Sequence, residues 1–358
     1  MFVREVVTGQ KEGRPVRYAQ IVASYRNAQG KPRHKVVLSL GRVDRLDRPQ
    51  LLGLVRALVR YLGDGDGVPR PQPGRVCELG LPWAAHAVWT RLSLPEHLRL
   101  EAHRHGLDEG SERALFARVL ALLACEGSVD RGASWLATEA FPLSPEGESV
   151  PREPGGEDLL AQAGPDLERG LFLRRAIPDG RVFAMAWSIG AHHPPCAIAC
   201  DADGVPLVSH VAPTPDTLGR RLHRRLRDLG ARDVVWGEID GPGSDGEAAS
   251  WPPPVLGTLS RVRRTMATAS AGTEETTLES ARTRLTEVLL AARVGRRLEL
   301  DADAPFARVR ELLRTVRAVE LRDGPRVRWE SATPSPEAVA LLRRLGLGDL
   351  PRDLPDPG

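Results

Sequence analysis

The chain has 358 residues, enough for two or three modest domains with a sizeable core. Hydrophobic residues make up 41% and charged ones 27%, and no run of about 18 apolar residues occurs, which excludes a helical membrane span. The net charge of +3 conceals an asymmetry: residues 1–48 hold eleven Lys/Arg against four Asp/Glu, a basic arm ahead of a near-neutral body, as in nucleic-acid binders.

Four cysteines (Cys77, Cys125, Cys196, Cys200) are too few and too scattered for a disulfide framework. The opening "MFVREVVTGQ" lacks the apolar core of a secretory signal, so a reduced, cytoplasmic protein is expected.

Residues 2–40 read as a three-stranded antiparallel meander with turns at Gly9–Gly13 and Asn27–Gly30. Arg4, Lys11, Arg14, Arg17, Arg26, Lys31, Arg33 and Lys35 are placed to form a cationic stripe on its open face. Two uses fit them: contact with phosphates, or simple solvation of a sheet. Leu51–Leu62 has the spacing of an amphipathic helix packed under the meander, and the Gly/Pro-rich residues 63–75 read as a linker. These features define a head over 1–62.

A helical bundle is expected over 76–141, with Trp83, Trp89 and Trp135 as core residues. Pro142–Glu157 reads as a long loop, and "LFLRRAIPDGRVFAMAW" as a hairpin turning at Pro178-Asp179-Gly180. Next come apolar runs of strand length, Val182–Trp187, Cys196–Cys200 and Pro206–Val211, the last two joined by a turn at Asp201–Gly204. Leu218, Leu222, Leu226 and Leu229 then mark an amphipathic helix with Arg220, Arg221, Arg224, Arg225 and Arg227 on its other faces, and Val234–Trp236 reads as a buried strand. The arginines suit a phosphate-binding helix face or a solvated one. Cys196 and Cys200 fall on one face of a strand with no second ligand pair at finger spacing, which favours core over zinc. The breaker-rich stretch after Gly241 gives way near Leu278 to helical spacing that continues to the end, with Thr277 as a cap. The sheet region is assigned to 170–241 and a C-terminal helical region to 277–350.

Several of these stretches resemble the DDE-type transposases of bacterial insertion sequences. The motifs are "RYAQIVASYR…GKPRHKVVLSLGRVDRLD", "RALFARVLALLACEGSVDRGASWL", "DGVPLVSHVAPTPDTL", "DVVWGEIDG" and "TPSPEAVALLRRLGL", all in the family's order. The resemblance implies an α+β or α/β architecture: a β-meander, a helical bundle, a trimmed ribonuclease-H-like mixed sheet and C-terminal helices. It also implies double-stranded DNA as partner, room for a homodimer, and Mg²⁺ as cofactor if the chain is active.

Such nucleases hold two Mg²⁺ ions with three carboxylates, the first bridging both cations from the middle of the first strand. By the resemblance, "RVFAMAW" takes the place of the family's first strand, which puts Ala184 at that position. Glu238, with Asp240 two residues on, stands where the second carboxylate and metal ligand belongs; Glu274, Glu275, Glu279 and Glu287 compete for the third. The expected function is therefore a transposase-derived DNA-binding protein with lost or impaired catalysis. The alternatives are an active transposase, with a shifted ligand such as Asp179 or Asp201, and a protein-interaction scaffold.

Overall fold

The computed structural model describes residues 2–11, 14–26, 31–43, 53, 71–108, 110–126, 128–142, 151, 156–173, 180–188, 193–238, 251–270, 277–323 and 326–356, some of them by backbone alone. The chain divides into two compact units, Met1–Arg70 and Pro71–Gly358.

In the first unit β1 (Phe2–Lys11), β2 (Arg14–Arg26) and β3 (Pro32–Arg42) form an antiparallel sheet in the order β1-β2-β3. This is the expected meander. Ala19 and Val22 on the central strand are buried, while Val36, Val37 and Leu38 on β3 are 43%, 54% and 42% exposed. The helix expected over 51–62 lies outside the described residues.

The second unit opens with β4 (Gln72–Glu78) and continues through α1 (Gly80–Arg91), α2 (Leu94–Arg104), α3 (Gly110–Ala124), α4 (Val129–Thr138) and α5 (Glu157–Leu173). Trp83, Trp89 and Trp135 are all core, and the Trp89 indole donates to buried Glu112 at 2.7 Å. Helix α5 corrects the sequence reading: Leu171–Leu173 close a helix and do not start a hairpin. Gly164, Pro165 and Gly170 argue locally against helix, but Leu159, Leu160, Ala163 and Leu167 recur on one buried stripe, and tertiary packing wins.

A mixed sheet follows, of β5 (Arg181–Trp187), β6 (Cys196–Cys200) and β7 (Pro206–Val211), then α6 (Pro215–Asp228) and β8 (Asp233–Glu238). The strand order is β7-β6-β5-β8: three antiparallel strands in sequence, with β8 returning after the helix to lie parallel to β5. Such a parallel return needs a crossover, and α6 supplies it. Alternate residues separate the faces. Phe183, Met185 and Trp187 join the main core with Cys196, Ile198 and Cys200, whereas Val182 and Ala184 pack with Ala197, Ala199 and the α6 leucines 218, 222 and 226. Each of those leucines contributes about 1.5–3 kcal/mol by leaving water. At the β6–β7 turn Gly204 adopts φ 74°, and the Asp201 carboxylate accepts from Val205 N at 2.9 Å.

The remainder is less helical than expected at one end and more so at the other. Pro253–Ser270, within and just after the stretch read as breaker-rich, forms α7, because Val255, Leu259, Val262 and Met266 recur on one buried stripe. Helix α8 (Leu278–Ala302), capped by Thr277 Oγ1 on Ser280 N at 3.1 Å, packs against β7, α3, α5 and α7. After α9 (Phe306–Arg314) come β9 (Arg317–Asp323), β10 (Arg326–Ser331), α10 (Pro336–Arg344) and β11 (Asp353–Leu354). These strands, read as part of a helical region, form the sheet β11-β10-β9-β4, whose partner strand lies some 240 residues away and is invisible to local periodicity. On β10, Trp329 packs against Phe141 of the core, with ring centroids 5.4 Å apart.

Candidate functional site

The mixed sheet brings β5 and β8 side by side, with Ala184 opposite Trp236 and Ala186 opposite Glu238. Ala184 is fully buried in the cluster that faces α6, and β5 carries no acidic residue. A shared pair of Mg²⁺ ions needs oxygen donors at the strand centre; a methyl group among alanines and leucines does not fit them. Glu238 closes β8; its side chain and all of Asp240, Asp179, Glu274 and Glu275 lie outside the described residues.

The other acidic candidates have structural work. Asp201 is buried in its turn. Glu287 is buried on α8, where Arg118 reaches its carboxylate at 2.7 Å; burial pushes its pKa up, with the Arg118 charge opposing. Glu279 lies exposed in the first turn of α8. One acid the sequence reading passed over is Asp216. The register sets Val211, Cys196 and Trp187 side by side at the end of the sheet where Glu238 stops β8, and α6 begins just beyond with Asp216 in its first turn.

Cysteine-based metal binding is disfavoured on the same sheet. Burial pushes the Cys196 thiol up to about 12 and Cys200 well above its ordinary value, so neither is a ready thiolate. Among the described residues Glu101, His105 and Asp166 bring three potential ligand atoms within 4.8 Å, but they lie on the α2 end and α5, and Arg104 already donates to Glu101 at 2.7 Å.

The basic residues sort by register and burial. In the head, Arg33 pairs opposite Tyr25, Lys35 opposite Ala23, and Arg17 opposite Val7, which places these three cations on one face with exposed Tyr25 and Val7. Arg17 is partly matched by Glu5 at 3.5 Å. Arg4 pairs opposite Gln20 on the other face, is half-buried, and donates to the Gln20 amide at 3.3 Å. The expected single stripe is thus divided by the sheet. Lys31 is exposed at the start of β3; Lys11, Arg14 and Arg26 occupy strand positions, with side chains outside the described residues.

Residues 3–68 match the N-terminal domain of IS1634 family transposases. No curated protein and no solved structure matches the chain. The IS1634-type segment falls within the first unit, contains the eight cations of the expected stripe, and supports an insertion-sequence transposase.

Beyond that segment, α6 carries the second basic surface. Arg220, Arg221 and Arg224 are exposed, and Arg220 Nε donates to the Asp216 carbonyl at 3.1 Å. Arg225 faces elsewhere: it donates to Ser209 O at 3.1 Å and pairs with buried Glu168 at 2.8 Å. Grouped by sequence with its neighbours, it is a fastening of the fold. Among the described residues no helix is long and apolar enough to cross a membrane.

Proposed function

We propose that the chain is a transposase-derived DNA-binding protein whose mixed sheet is ribonuclease-H-like and whose metal-dependent cleavage has been lost. The single observation that carries the reading is Ala184, a buried methyl at the centre of β5, in a chain whose first unit matches a transposase domain. The order β7-β6-β5-β8 with parallel β5 and β8 supports the choice of fold. Losing the bridging carboxylate removes several kcal/mol of transition-state stabilisation, enough to erase several decades of rate.

DNA is gripped through phosphates by Arg17, Arg33 and Lys35 of the head and by Arg220, Arg221 and Arg224 of α6. Each phosphate neutralised contributes a slope near −0.9 in log affinity against log salt. Titrating duplex DNA at several salt concentrations tests the reading, and affinity that does not respond to salt overturns it. Such indifference would favour a scaffold, the reading to which the exposed Val36, Val37 and Leu38 would then belong.

A working transposase with displaced ligands is the second reading, favoured by Asp216 and Glu238 standing at the same end of the sheet. Incubating the protein with Mg²⁺ or Mn²⁺ and a plasmid carrying the flanking inverted repeats decides between the two. Specific nicks would establish the working enzyme.

A further inference from the structure

A cleft of about 250 Å³ opens within the second unit where α3, α7, α8 and α9 meet. Leu122, Leu123, Val262, Val288, Ala291 and Phe306 give it apolar walls. At about 30 Å³ per water-sized group, it has room for at least roughly eight such groups.

Its charges are unequal: Arg261, Arg264 and Arg310 line it against Glu126 and Glu299. Arg261 lies over the Phe306 ring, 5.4 Å from its centroid, and donates to Glu299 through Nη2. The Nη1 of the same guanidinium is closed to solvent and has no hydrogen-bond partner among the described residues. Glu299 is already shared: Arg296 donates to it at 2.8 Å and Phe306 N at 3.0 Å. Glu126, at φ 52° just past α3, is paired with Arg310, which holds its carboxyl below the usual range. Both carboxylates are therefore neutralised in place. The Arg264 side chain, exposed beside the cleft, makes no hydrogen bond or close ion pair among the described residues, though its charge helps to lower the Glu126 carboxyl. An apolar cavity lined by one more guanidinium than carboxylate matches a small molecule with one apolar body and one anionic end.

We infer that this cleft binds a small amphipathic anion of the aromatic-carboxylate class, its ring against Leu122, Val288 and Phe306 and its carboxylate on Arg264. The site is independent of the DNA surfaces and of the mixed sheet, so it stands or falls apart from the function proposed above.

Calorimetric titration of benzoate into the full chain tests it, with benzyl alcohol as neutral and benzylamine as cationic counterparts of similar size. Saturable one-to-one binding of benzoate is expected, at least about tenfold tighter than benzyl alcohol, with no binding of benzylamine. Arg264→Gln, at an exposed position, should weaken benzoate by about tenfold without moving the thermal midpoint. Ala291→Leu, which fills the cavity, should abolish binding. The inference is overturned if benzoate heats do not saturate, if benzyl alcohol binds equally well, or if Arg264→Gln binds benzoate as the parent chain does.

Discussion

Arg225 Nη2 lies 2.8 Å from Glu168 Oε2, and the same guanidinium donates through Nη1 to the Ser209 carbonyl at 3.1 Å. Ser209 Oγ and Thr286 Oγ1 converge on the other Glu168 oxygen, so one buried carboxylate joins α5, β7, α6 and α8. Removing its cation leaves a charge stranded in the core. Arg225→Ala should therefore cost about 3–5 kcal/mol in denaturant melts at neutral pH, whereas Arg221→Ala and Arg224→Ala should stay within about 0.5 kcal/mol. Burial raises the Glu168 pKa against the opposing Arg225 charge and Ser209 hydrogen bond. The Arg225→Ala penalty should therefore shrink in acid, where Glu168 is protonated. Equal penalties for all three arginines would contradict this division of labour.

His210, also on β7, is lowered to about 4, first by burial and then by the nearby Arg225, Arg282 and Arg221 charges. A histidine depressed in the folded state binds its proton more tightly when unfolded, so stability is lost as pH falls from about 6.5 through about 4. The denaturation midpoint should drop across that window, and His210→Asn should flatten the drop. An NMR titration that places the ring near its ordinary value would refute the assignment.

Gly237 is pressed against the Trp251 ring: a Cβ there would meet Cζ2 at 2.5 Å. Trp251 is itself fixed against Phe183, with centroids 5.6 Å apart. Gly237→Ala should cost about 1–3 kcal/mol by overpacking. Melts of the variant and of Gly219→Ala, whose Cβ would meet nothing within 4 Å, provide the comparison.

On the proposed reading Ala184→Asp would restore the bridging carboxylate, but it buries a charge in an apolar cluster. We expect a loss of about 3 kcal/mol or more in the absence of metal. Thermal melts with and without Mg²⁺ check whether Glu238 can share a cation: a Mg²⁺-specific recovery of the midpoint means that it can, and an unchanged midpoint means that only the backbone position survives.

In the head, Arg33→Ala with Lys35→Ala should lower the salt slope of DNA binding by nearly two units, while Arg4→Ala, on the opposite face, should leave it nearly unchanged. Equal effects would mean that the register does not select the contacting cations.

Much of the architecture was legible because it is periodic. The α6 leucines at 218, 222 and 226 and the alternation along β5 and β6 report their own buried faces, and the Asp201–Gly204 turn reports itself by composition. Helix α5 was hidden because glycine and proline interrupt a stripe that only packing reveals. β4 and β9 were hidden because each depends on a partner at the other end of the unit. The candidate site divides in the same manner. Ala184 could be read from its motif, but the fate of Arg225 depends on Glu168, 57 residues earlier, and the face of Arg4 depends on register. Neither leaves a mark in its own neighbourhood.

Two backbone oxygens of the edge strand β7 are taken by side chains: Ser209 O by Arg225 and Pro206 O by Arg293, the latter at 2.9 Å. Guanidinium groups thus stand where another chain's amides would dock, guarding that border against templated pairing and precipitation. Among the described strands β8 forms the opposite border of the sheet, and no such guanidinium is bonded to its backbone there.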